Sequence, residues 1–127
     1  MFSQNVLDHF ENPRNSGKLP GADAAVEVSN PVCGDVLQLA VTIENKKINA
    51  ARFLCRGCTA AIACGSLLTE QLERREVAAL GEITAEELAR ALGGLSEATY
   101  HAAQLAGDAV KKLVAALQKA DSSVGRQ

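Results

Sequence analysis

Tryptophan is absent, and Tyr100 with three phenylalanines makes up the whole aromatic complement. Few large rings are available to fill an interior, so any core must come from close-packed aliphatic side chains. There is no excess of charge of either sign. Thirteen Lys and Arg stand against 15 Asp and Glu, a formal net of −2. That balance argues against a general nucleic-acid binder, which would show a basic stripe, and against a polybasic membrane anchor. No run approaches the roughly 18 apolar residues of a membrane span. Met1–Asn12 carries Asp8 and Glu11 and no unbroken apolar stretch, so it does not read as an export signal. A soluble, cytoplasmic protein is expected, in which cysteines serve metal, catalysis or core filling more often than disulfides.

What is present suits a small core. Nearly half the chain is apolar and alanine alone supplies 22 of 127 residues. That length predicts one domain over 1–127, with a polar, frayed tail at about 121–127. Ser3 is placed to cap a short helix carrying Val6, Leu7 and Phe10, stopped at Asn12-Pro13. The turn-rich stretch Arg14–Gly21 reads as an ordered loop. The apolar period then becomes two. Leu37, Leu39, Val41 and Ile43 alternate with Gln38, Ala40, Thr42 and Glu44, as a half-buried strand does. Asn45-Lys46 suggests a hairpin turn into a strand Ile48–Leu54, and Ala25–Ser29 is a weaker strand ended by Asn30-Pro31.

Helical periodicity follows. Residues 59–74 align Ala61, Gly65, Leu68 and Leu72 on one stripe. Thr84 with Glu87 forms a capping-box pattern that opens a helix through Leu92, closed by Gly93-Gly94. Ser96 is expected to start the last helix, with Leu105, Ala109, Leu113 and Leu117 on its buried face. The fold class expected is α+β: a three-stranded antiparallel sheet with helices covering one face.

Three places put a potential ligand at the end of an element. Asn30-Pro31-Val32-Cys33-Gly34-Asp35 occupies a turn between strands, where Gly34 permits a sharp bend that brings Cys33 and Asp35 toward one centre. Taken alone, it could equally be a turn with an incidental cysteine. Cys58 stands where a strand hands over to a helix, and the helix dipole there is expected to favour thiolate. His101 lies early in the last helix, where a lone histidine is commonly just a half-buried side chain. Cys55 and Cys58 also have C-x-x-C spacing, which raises a thiol redox pair. Against it, helices rather than a βαβ unit follow the motif, and Cys55 shares a strand face with Phe53 and so points inward. Cys64 reads as a small buried hydrophobe.

These residues together resemble the IscU/NifU N-terminal scaffold family. The resemblance is carried by Val6-Leu7-Asp8-His9-Phe10-Glu11-Asn12-Pro13-Arg14-Asn15, by Asn30–Asp35, and by Ala51-Arg52-Phe53 leading to Gly57-Cys58. Ala61-Ile62-Ala63, Ser66-Leu67-Leu68-Thr69-Glu70 and His101 with Leu105-Ala106 and Asp108-Ala109 extend it, so that it spans about residues 3–118. It implies a scaffold or carrier rather than an enzyme. Such a protein receives sulfur from a cysteine desulfurase, holds a transient [2Fe–2S] cluster, and passes it to apo iron–sulfur proteins. Cys33 and Cys58 fall on two of the family's three cysteines, and both would be sulfur acceptors. Cys33, Asp35, Cys58 and His101 would be the cluster or metal ligands.

The chain departs from the family at two points. The third cysteine is replaced by Ala102, and Leu95-Ser96-Glu97-Ala98-Thr99 stands where the chaperone-recognition stretch would be. Either Cys55 or Cys64 makes up the lost thiolate, or the site is confined to Cys33, Asp35, Cys58 and His101. The latter set also suits Zn²⁺, which gives the alternative of a zinc-bound sulfur acceptor or regulator of a cysteine desulfurase.

Overall fold

A computed structural model describes the backbone of residues 2–125 and the side chains through residue 119. Helix α1 (Gln4–Glu11) begins at Ser3, whose hydroxyl accepts from the Val6 N–H and donates to the Leu92 carbonyl. Strands β1 (Ala24–Ser29), β2 (Val36–Glu44) and β3 (Lys47–Arg56) form an antiparallel sheet in sequence order. Asn45 and Lys46 have φ of 54° and 64°. That is the pair of positive angles a type I′ hairpin needs, and it sets Glu44 opposite Lys47.

One face of the sheet is apolar because the period-two pattern places it so. Leu37, Leu39 and Val41 of β2 lie opposite Cys55, Phe53 and Ala51 of β3, and all but Cys55 are buried. Helices α2 (Thr59–Leu72) and α4 (Tyr100–Gly125) cover this face, with α3 (Ala85–Ala91) against α4. The alanine content acquires its reason here. Ala60, Ala61 and Ala63 of α2 and Ala102, Ala103, Ala106 and Ala109 of α4 are all buried, so helix backbones approach closely where rings are scarce. At Gly65 an added Cβ would lie 2.6 Å from the Phe53 ring, which is how α2 sits flat on β3.

Several expectations need correction. α2 is no one-sided amphipathic helix: Ala60, Ala63, Ser66, Leu67 and Thr69 are buried along with the expected stripe. It is sandwiched between α1, α4 and the sheet. It stops at Leu72 rather than 74, because the chain turns back to the sheet edge. Arg74 adopts a left-handed φ of 66°, its N–H donates to the Ile48 carbonyl, and the Ile48 N–H donates to the Arg75 carbonyl. A 3-10 helix over Val77–Glu82 follows, where the sequence pattern marks no element. The last helix begins at Tyr100, not Ser96. Ser96 instead closes a turn, its carbonyl accepting from the Thr99 and Tyr100 N–H groups. The tail expected to fray lies only partly in the described residues: α4 continues to Gly125, and 126–127 lie outside them. Among the described residues no helix is long and apolar enough to cross a membrane.

Candidate metal centre

Three separate elements deliver the donors to one end of the sheet. The first is the β1–β2 turn. Asn30 organises it twice over: its side-chain oxygen accepts from the Val32 N–H at 2.9 Å and its carbonyl from the Gly34 N–H at 2.7 Å. Gly34 takes a φ of 77°, which lets the chain reverse so that the Asn30 N–H reaches the Asp35 carbonyl. The reversal leaves Cys33 exposed at the tip and turns Asp35 inward, where it is 6% exposed.

The second is the β3–α2 corner, where Cys58 is the N-cap of α2. Its Sγ accepts from the Ala61 N–H at 3.4 Å and lies 3.5 Å from Asp35 Oδ2. The third is the first turn of α4. There His101 Nε2 lies 3.6 Å from Asp35 Oδ2 and 3.9 Å from Cys58 Sγ. The donor atoms of Cys33, Asp35 and His101 all fall within 4.8 Å of one another. Cys58 is not one of that mutually close set and joins it through Asp35 and His101, so the four residues singled out in the sequence meet as two overlapping groups of three.

It does not add Cys55 or Cys64 to them. Cys64 is fully buried in the core, where desolvation pushes its thiol up to about 12. Cys55 is half-buried on the core face, opposite Leu37, and burial with the nearby Asp35 and Cys58 pushes it up to about 11. Ala102 is 1% exposed, its methyl packed into the core.

The expectation that helix α2 would favour the Cys58 thiolate is overturned. Burial raises the thiol above its ordinary range. The Ala61 N–H pulls the other way, and the Asp35 charge and hydrogen bond push it up again. Without a metal, Cys58 is therefore a thiol donating to Asp35 while accepting from the helix N-terminus. A bound cation would reverse this balance, since its charge sits between the same groups.

Two features were not legible as site chemistry. Gly57 packs its Cα against the Asp35 carboxyl, so that a Cβ there would come within 2.8 Å of Asp35 Cγ. A glycine directly before the helix N-cap was the visible signal. Behind the site, buried His9 meets buried Ser66 through Nδ1 and Oγ at 2.8 Å, locking α1 onto α2. A histidine on a short helix carries no mark of that partner 57 residues away.

The model of the NifU-like N-terminal domain matches residues 1–123. Iron–sulfur cluster assembly scaffold protein IscU 1 of Archaeoglobus fulgidus is 40% identical over 114 residues, 90% of this chain and 74% of that protein. The IscU scaffold protein of Haemophilus influenzae is 39% identical over 118 residues, 90% of this chain and 93% of its own. In fold, the chain is similar to the N-terminal part of a NifU-like protein from Brucella abortus. The TM-score is 0.76 at 14% identity, covering 92% and 94% of the two chains. The chain belongs to the NifU-like N-terminal domain family.

Proposed function

We propose that this chain is a scaffold or carrier in iron–sulfur cluster assembly, accepting sulfur from a cysteine desulfurase and holding a labile [2Fe–2S] cluster as cargo for apo-proteins. The observation that carries the reading is the convergence of Cys33, Asp35, Cys58 and His101 from three elements, in a chain whose relatives are named as such scaffolds. A [2Fe–2S] unit needs four terminal ligands, and imidazole is an accepted substitute for thiolate. The carboxylate is the weak member of the set, which suits cargo that must leave.

Cys33 is the acceptor best placed for a partner's persulfide, since it is the exposed cysteine at a turn tip. Its thiolate would attack the outer sulfur, forming a new S–S bond, while the partner's cysteine leaves as thiolate. Cys58, half-buried and hydrogen-bonded to Asp35 as a thiol, would act once a bound cation displaces its proton to solvent.

A second reading is zinc, held by Asp35, Cys58 and His101 with Cys33 as a more distant fourth donor. Separations of 3.5, 3.6 and 3.9 Å are close to the edge of a tetrahedron about an ion at roughly 2.0–2.3 Å from N, O and S ligands. Zinc there would neutralise the buried carboxylate and hold the thiols deprotonated.

The experiment is anaerobic purification followed by reconstitution with ferrous iron, cysteine and a desulfurase. Iron and acid-labile sulfide in equal amounts are expected, with visible absorption that disappears in Cys33→Ala and Cys58→Ala. One zinc per chain with no reconstitutable colour would refute the scaffold and leave the zinc-bound sulfur acceptor.

A further inference from the structure

We infer that Gly57 is a positioning residue whose bare Cα forms the seat that holds the Asp35 carboxyl between Cys58 and His101. This rests on the metal-site reading above and names what places its oxygen donor.

The steric case is direct. A Cβ built on Gly57 would lie 2.8 Å from Asp35 Cγ, 3.0 Å from Oδ1 and 3.2 Å from the Ala61 Cβ. Carbon atoms in contact prefer about 3.5–4.0 Å. Gly57 is not among the residues with positive φ, so a glycine is needed for space rather than for backbone freedom. Gly34 presents the opposite case, with a φ of 77° and nothing within 4 Å of an added Cβ.

The seat matters because little else holds the carboxyl. Among the described residues its hydrogen bond comes from Cys58 Sγ, and its other polar contact is His101 Nε2. No backbone N–H of the described residues donates to it. Both partners are themselves metal donors, so a cation that takes their sulfur and nitrogen removes both contacts. What then keeps the carboxyl aimed at the ion is its packing on Gly57 and the α2 corner. Asp35 has one rotatable bond before the carboxyl carbon and is 6% exposed, so it cannot yield to a methyl group and remain in place. Gly57→Ala should therefore subtract the carboxylate from the ligand set while leaving both cysteines and the histidine.

The test uses Co²⁺ and Zn²⁺ on the full chain, with Gly57→Ala, Asp35→Ala and the double variant. In Gly57→Ala the thiolate-to-cobalt charge-transfer band is expected to persist while the d–d bands move to those of Asp35→Ala. Zn²⁺ affinity should fall about 10- to 100-fold, the usual effect of losing a ligand's supporting contact. The double variant should match Asp35→Ala. An unchanged spectrum and affinity in Gly57→Ala, or losses that multiply in the double variant, would overturn the seat.

A metal-free arm separates the two readings. With no Cγ at position 35 the main clash disappears, so Gly57→Ala should lower the unfolding midpoint of the wild type clearly more than that of Asp35→Ala. If Gly57→Ala fails to fold but the double variant folds, the seat stands; if both fail, it falls. Wild type that takes up neither ion sinks the metal-site reading, and the metal-free arm then decides the seat alone.

Discussion

Replacing His9 tests how α1 is fastened to the body of the protein. His9 is 8% exposed, and the Ser66 hydroxyl it meets is fully buried. With the ring proton on Nε2, beside the Glu70 carboxylate, Nδ1 accepts the Ser66 hydroxyl proton, and Ser66 Oγ in turn accepts the Arg14 N–H at 2.8 Å. The ring's Nε2–H then faces Glu70 at 3.5 Å. His9→Ala leaves the Ser66 proton without this partner, at about 1–3 kcal/mol for a buried unsatisfied donor. Return of the hydroxyl to the carbonyl one turn back in α2 would bring the loss toward the lower figure. At about 3–5 °C per kcal/mol for a chain of this size, the melting temperature should drop by roughly 3–15 °C.

The pH dependence provides a sharper readout. Burial holds His9 below its ordinary 6.5, Arg14 adds to that, and Glu70 and Asp8 oppose it without prevailing. The unfolded chain therefore binds this proton first as pH falls. Stability is complete above about 6.5 and declines as pH drops from there through the lower folded value, at no more than about 1.4 kcal/mol per unit for one group. His9→Asn keeps an acceptor for Ser66 but does not titrate. Urea unfolding of the two proteins from pH 7.5 to 5.0 should show the wild type losing stability faster than His9→Asn. Parallel curves would refute the assignment of His9 as a neutral buried link.

Two further predictions concern the packing around the site. Gly65→Ala places a carbon 2.6 Å from the Phe53 ring and should cost about 1–3 kcal/mol, read as a lower urea midpoint at unchanged m. Thiol alkylation at pH 8, mapped by mass spectrometry, should mark Cys33 first and spare Cys55 and Cys64 in the folded chain. With a thiol at about 11, only about one Cys55 in a thousand is thiolate at that pH. Fast labelling of either would contradict their placement.

The legible parts of this protein are those whose cause is local. Alternation along Leu37–Ile43 marks a strand because successive side chains point to opposite faces, and Asn45-Lys46 marks its turn because Asn tolerates positive φ. Ser3 and Thr84 each accept the N–H three residues on, as their positions before helical runs suggested. The site was legible for a related reason. Cys33, Asp35, Cys58 and His101 sit at element ends, and their chemistry is recognisable before their distances are known.

Other features depended on what packs against what. Periodicity gave α2 a single apolar stripe, but burial of Ser66 and Thr69 follows from α1 and the Arg14–Asn15 loop lying over them, through contacts more than 50 residues apart in the chain. The start of α4 moved to Tyr100 because Ser96 found a turn to close. The thiol of Cys58 depends on the depth of its corner and on Asp35, 23 residues earlier, as much as on the helix it caps.

Residue type, spacing and turn chemistry thus determined the strands and the caps, since each depends on neighbours a few bonds away, while the four candidate donors were singled out at element ends and joined into one set by the family resemblance. The approach of Asp35, Cys58 and His101 to 3.5–3.9 Å, with Cys33 within 4.8 Å of Asp35 and His101, was decided only when β1–β2, β3–α2 and α4 packed together. The seat at Gly57, the His9–Ser66 link and the protonation of Cys58 arose at the same step. Electrostatic and steric interactions act through space, and the spatial neighbours of these residues are not their neighbours in the chain.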